Sequence, residues 1–206
     1  MRNFANTFKA ISLMKPANLL LALLAAVAIA NPAHAAIFTG ANEMPGAAVT
    51  NYSEAGLVSF DLDVTDFSAT RLNFVVEEGD LQLPFLSLNA IARNLSGWGI
   101  ERFNFSTQGI AFARQGSVTP TFGTLGSVGY TSHAIAISFA SPELAEFHFG
   151  NPVGLADRTN WLLDTRGLRA GDAFSISATV PEPSSIALLL AAIVMLTGIG
   201  AQRRDK

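Results

Sequence analysis

From Leu57 to Val64 the chain alternates in character: Val58, Phe60, Leu62 and Val64 fall on one parity, and Ser59, Asp61 and Asp63 on the other. Successive side chains of an extended strand point to opposite faces, so this pattern makes one buried face and one wet face. A helix would scatter the same residues around its circumference. The pattern recurs in residues 71–77, 100–105, 133–139 and 145–149. In 100–105 it pairs Phe103 with Phe105, and in 133–139 it groups Ile135, Ile137 and Phe139. In residues 173–180, Phe174, Ile176, Ala178 and Val180 share one parity, with Ser175, Ser177 and Thr179 opposite. Gly-, Asn- and Pro-rich turns separate these runs. Six or more short strands at this spacing predict an all-β fold, an antiparallel β-sandwich of jelly-roll type. The 15 phenylalanines lie largely on the inward parity and are assigned to the core. Residues 81–93 are expected to hold one turn or a short helix, because Pro84 prevents anything long.

The strands occupy residues 36–180 of a 206-residue chain. That stretch carries 14 acidic residues against 7 arginines and contains no lysine. A nucleic-acid binder needs a basic face, and this composition offers none. The chain has no cysteine, so it has neither disulfides nor thiolate chemistry. Export remains compatible with that, since disulfides are permitted outside the cell but not required. No cofactor is expected.

Two apolar stretches bracket the strands. Arg2, Lys9 and Lys15 precede the apolar run 19–30, and Ala33-His34-Ala35 follows, with Ala36 next. A positive start, an apolar run and an A-x-A site form the order of a secretory signal. The run is about 18 Å long as a helix, too short for ~30 Å of hydrocarbon. Residues 1–35 are therefore expected to be a signal peptide handled by the secretion machinery and cut after Ala35.

At the other end Val180-Pro181-Glu182-Pro183-Ser184 leads into residues 186–201, which carry no charge, and then into Arg203 and Arg204. Counted from Ser184, a helix over 184–201 would be about 27 Å long, enough to cross a bilayer core. The prolines keep the preceding strip extended. The arginine pair is expected to stay cytoplasmic and leave the strand domain outside. Residues 181–206, with Val180 just before them, resemble the PEP-CTERM sorting signal: a Pro-Glu-Pro motif, a single hydrophobic helix and a short arginine-rich end. The resemblance covers only this tail. It implies a Gram-negative-type envelope and an inner-membrane-anchored intermediate. It also implies recognition of residues 180–184 by an exosortase and association with extracellular polysaccharide or biofilm.

Several residues within the domain have the chemistry for a site. Residues 56–65 resemble the first motif of haloacid-dehalogenase phosphatases, in which an Asp-x-Asp-x-Thr closes a strand. That family also needs a lysine and alternating helices, and neither is found in residues 36–180. Asp61, Asp63 and Asp66 form a weak calcium candidate, because calcium favours clustered oxygens. Residues 77–80 form a second acidic group, read as a solvated turn. His133 and His148 are the histidines left after signal removal, and His148, alternating with Phe147 and Phe149, is expected to face solvent. No Gly-x-Ser-x-Gly elbow accompanies them. Trp98, between Gly97 and Gly99, Tyr130 and Trp161 are the candidates for stacking on sugar rings if exposed, while buried packing is the default expectation for both tryptophans. Asn51, Asn94 and Asn104 each begin an Asn-x-Ser triplet. The leading expectation is an exported surface or matrix protein without catalysis. A carbohydrate-binding module and a secreted hydrolase are the alternatives.

Overall fold

The computed structural model describes residues 36–42 and 47–181. They form thirteen strands: β1 (Ile37–Asn42), β2 (Ala47–Asn51), β3 (Leu57–Val64), β4 (Thr70–Val75), β5 (Phe85–Asn94), β6 (Ile100–Gln108), β7 (Ala111–Arg114), β8 (Val118–Pro120), β9 (Thr124–Tyr130), β10 (Ala134–Glu143), β11 (Glu146–Phe149), β12 (Trp161–Asp164) and β13 (Ala173–Thr179). Two sheets result. The first runs β1-β4-β13-β6-β10-β9 and is antiparallel throughout. The second runs β2-β3-β5-β11-β8, with β12 beside the first half of β5 and β7 outside β12.

The sheets face each other across one core. Phe60 meets Phe105 with ring centroids 6.4 Å apart, Phe103 meets Phe147 at 5.0 Å and Phe105 meets Phe149 at 4.4 Å. Each of these pairs joins a strand of one sheet to a strand of the other. Such ring pairs contribute about 0.5–1.5 kcal/mol each beyond the area they bury. Nine phenylalanines, among them Phe74, Phe112, Phe139 and Phe174, are buried as the inward parity requires. Phe38, Phe67 and Phe85 are half-buried, and Phe122 stands exposed on a loop.

The second sheet is not purely antiparallel, as the alternation alone had suggested. β3 and β5 run parallel, from Leu57 opposite Ser87 to Val64 opposite Asn94. The cause lies in the connection. β4, which lies between them in sequence, belongs to the other sheet, so the chain crosses the core twice and returns in its original direction. β5 also replaces the turn or helix expected over 81–93. Only a short 3-10 turn at Asp80–Gln82 precedes it, and Pro84 marks the entry to the strand rather than a helix break. Among the described residues no helix is long and apolar enough to cross a membrane. The expected helix over 184–201 lies outside the described residues.

The strand registers define two ends. Ala178 pairs with Phe105 and Thr179 with Asn104, so beyond Thr179 the chain heads toward the start of β6. That exit end also gathers the loops 65–69, 95–99, 121–123 and 144–145. The opposite end gathers the loops 52–56, 76–84, 131–133 and 165–172.

Candidate functional site

Three loops at the exit end are tied together by two buried polar residues. The first is Glu143. Ser138 pairs with Arg102 and Glu143 with Ile100, so residues 139–142 bulge out opposite Glu101 alone. The bulge turns the Glu143 carboxylate into the protein, where it is fully buried. It accepts from the N–H groups of Thr121 (2.9 Å), Phe122 (3.0 Å), Gly123 (2.9 Å) and Ala145 (2.9 Å). Burial by itself would push its pKa up. The four N–H donors outweigh that cost and hold the carboxyl below its ordinary value.

The second residue is Asn94. Its Nδ2 donates to the carbonyls of Trp98 (2.6 Å) and Glu143 (2.9 Å), while its Oδ1 accepts from Ser96 N at 3.2 Å and Ser96 Oγ at 2.7 Å. The Asn94-Leu95-Ser96 triplet is thus a self-bonded turn. Asn51 and Ser53 repeat the device, with the Ser53 hydroxyl 2.7 Å from Asn51 Oδ1. Gly99 completes the fit, since a Cβ there would stand 2.6 Å from Pro142 Cβ. These polar ties present four large apolar side chains to the outside: Phe122 (72% exposed), Leu144 (66%), Trp98 (63%) and Leu95 (57%). The four described exit-end loops contain a single charged residue, Asp66, and Glu43 lies in the β1–β2 connection, outside the described residues.

The two tryptophans therefore differ. Trp98 stands on the surface between its flanking glycines, against the default expectation of burial. Trp161 is fully buried in β12, stacked on Phe149 at 4.7 Å with its Nε1 donating to Ser117 O at 3.2 Å. Its ring is core and presents no face to a sugar.

The outer face of the second sheet carries the charged cluster. Asp63 and Glu146 stand on either side of Arg93 in register. Arg93 Nη2 pairs with Asp61 Oδ2, and Arg93 Nη1 donates to Asp63 Oδ1 at 2.7 Å. The Asp63 hydrogen bond is the main cause that raises the Arg93 pKa above its usual value. Asp61 is buried rather than on a wet face, because the guanidinium covers it. Asp66 turns into its own loop and accepts from Ser68 N at 2.7 Å. The structure thus assigns Asp61 and Asp63 to an arginine and does not gather the three aspartates around a shared cation position. Among the described residues no three His, Cys, Asp or Glu are grouped to hold a metal ion.

His148 lies beside this cluster and is half-buried instead of facing solvent. Arg158 Nη1 donates to its Nδ1 at 2.9 Å, which leaves Nε2 to donate toward Glu146 Oε1 at 3.4 Å. His133 sits in the exposed turn before β10, in the other sheet. The two histidines are not brought together. Asp80, read as part of a solvated turn, is fully buried and accepts from Gly56 N at 3.3 Å and Glu77 N at 3.0 Å.

Of the expected processing residues, Ala36 is buried at the start of β1, Val180 is buried at the end of β13 and Pro181 is exposed. Ala33, Ala35, Glu182, Pro183, Ser184, Arg203 and Arg204 lie outside the described residues. Glu143 had no motif to announce it, Asn94 stood out only as the start of an Asn-x-Ser triplet, and Asp80 only as part of an acidic turn read as solvated. Their signal was positional, a polar residue amid a turn whose backbone needed partners. Searches of known protein families, curated proteins and solved structures find no match to this chain.

Proposed function

We propose that the chain is an exported protein held at the inner membrane by its tail, processed there by an exosortase, and then released or attached at the cell surface or in the extracellular matrix. Its role in this reading is structural or adhesive, in contact with biofilm or exopolysaccharide, and it catalyses no reaction. The observation that carries the reading is the junction between domain and tail. The last described strand ends at Thr179, Val180 after it is buried, and Pro181 is exposed. A membrane protease could engage Pro181-Glu182-Pro183 without unfolding a strand. The buried Ala36 supports the matching event at the other terminus, because a cut after Ala35 leaves β1 whole.

The test is the intact mass of the protein recovered from the native host's envelope and medium, with and without its exosortase. Loss of the tail near residues 181–183 only when the enzyme is present is the expected result. A tail intact through Lys206 in both strains would reject the reading. Polysaccharide contact through Trp98 is the second reading, favoured by the exposure of that ring on a fixed turn. It expects glycan binding that survives high salt and is lost in Trp98→Ala.

A further inference from the structure

We infer that the exit end of the sandwich is a bilayer-contacting face. While the domain is still joined to its tail, Leu95, Trp98, Phe122 and Leu144 enter the headgroup boundary of the membrane. This rests on reading residues 184–201 as a membrane helix.

Three observations carry it. First, β13 leaves the fold at the same end as these four loops, as its register with β6 requires. Second, the leash is short. Pro181, Glu182 and Pro183 are three residues, which reach at most about 11 Å even when fully extended. The exit end is therefore the part of the domain held nearest the hydrocarbon. Third, the side chains suit that position. Four large apolar groups stand out of loops that hold Asp66 as their one charge. A tryptophan among them is the residue type enriched where hydrocarbon meets water.

The presentation is fixed rather than incidental. Glu143 holds the 121–123 loop and Ala145 by their N–H groups, and Asn94 holds the Trp98 carbonyl. The tips therefore keep their positions without being covered by protein. The lipid chemistry follows from charge. Residues 36–180 carry twice as many acids as arginines and no lysine, so anionic headgroups give no attraction. The contact is apolar, and it should form on zwitterionic lipid and persist in salt.

The chain's two tryptophans make the test direct, since Trp98 is exposed and Trp161 is buried. The full chain is inserted in phosphatidylcholine vesicles whose acyl chains carry bromine close to the glycerol. Its emission is compared with that in plain phosphatidylcholine. The expected result is loss of most Trp98 emission in bromolipid, with Trp161 emission retained. Trp98→Phe should abolish the lipid-dependent loss, and Phe122→Ser with Leu144→Ser should reduce it. Equal emission in both lipids, from a chain that resists alkaline carbonate extraction, would overturn the contact face and leave the tail reading standing. A chain that carbonate removes would reject the membrane helix, and the contact face with it. Trp98 emission that responds to soluble polysaccharide and not to bromolipid would overturn the inference in favour of sugar binding.

Discussion

At the exit end of the sandwich Glu143 gathers four backbone N–H groups, and at the opposite end Asp80 gathers two, those of Gly56 and Glu77. Both carboxylates are fully buried, and both close loops that no strand pairing reaches. The loops they close are dressed differently. Besides Asp80, the opposite-end loops carry Glu54, Glu77, Glu78, Arg166, Arg169 and Asp172, whereas the described exit-end loops carry only Asp66. Backbone demand explains the shared device, because loop N–H groups withdrawn from water need acceptors. It does not explain the difference in side chains. The charge difference tracks the tail: the opposite-end loops also expose Tyr52 and Leu83, but among charged residues, whereas the described exit-end loops expose four large apolar groups with Asp66 as their one charge.

The largest effect should come from removing the larger hub. Glu143→Ala leaves four N–H groups without their acceptor and should cost about 2–4 kcal/mol in urea unfolding. Asp80→Ala removes two acceptor contacts and should cost about 1–3 kcal/mol. A larger loss from Asp80 would break the proposed ranking of the two ends. Between them, Arg93→Met strips the covering guanidinium from Asp61 and should cost about 1–3 kcal/mol by the same measurement.

Acid separates the ends further. The Glu143 pKa is lowered on folding from its ordinary 4.5, so its contribution is complete above that value. It is lost as pH falls through the lower folded value. Urea midpoints followed from neutral pH into acid should show this loss, and Glu143→Gln should flatten it. Asp164, drawn down to about 2 chiefly by its side-chain hydrogen bond with Arg166, should keep that exposed pair at the opposite end ionised over most of the same range. Smaller still is Gly99→Ala. The new Cβ would meet Pro142, at the end of the 139–142 bulge, and push the Trp98 turn away from it. It should shift Trp98 emission and cost about 1 kcal/mol. The smallest effect is Trp98→Phe, an exposed change that should stay within about 0.5 kcal/mol in thermal unfolding.

Much of the core was legible because burial and strand period coincide. β3 appears with the bounds its alternation gives, and β13 ends one residue early, at Thr179. β5 was hidden for a physical reason. Its inward residues are Leu86, Leu88, Ala90 and Ala92, none of them β-branched or aromatic, and Asn89 on its other face is also buried. What makes Asn89 acceptable is tertiary: Ser59 Oγ donates to its Oδ1 at 2.7 Å, and its Nδ2 donates to Asn160 Oδ1 at 3.3 Å. Neither partner is a near neighbour in sequence. The parallel β3–β5 pair was equally hidden, since it depends on β4 crossing to the other sheet. The short strands β1, β2, β7, β8, β9 and β12 lack the length or the alternation to stand out. β9, for example, reads TLGSVGY. Of the candidate site, the loop position of Trp98 could be read from its glycines, though its exposure ran against the default of a buried indole. Its companions could not, because Leu95, Phe122 and Leu144 come from three loops that only the fold assembles.

The most direct test of the contrast between the ends is hydrogen exchange on the full chain, compared in phosphatidylcholine vesicles and in detergent. Slower exchange in vesicles is expected in residues 95–99, 121–123 and 144–145, with residues 76–84 and 165–172 unchanged. Equal slowing at both ends, or slowing confined to the opposite end, would contradict a membrane-facing exit end.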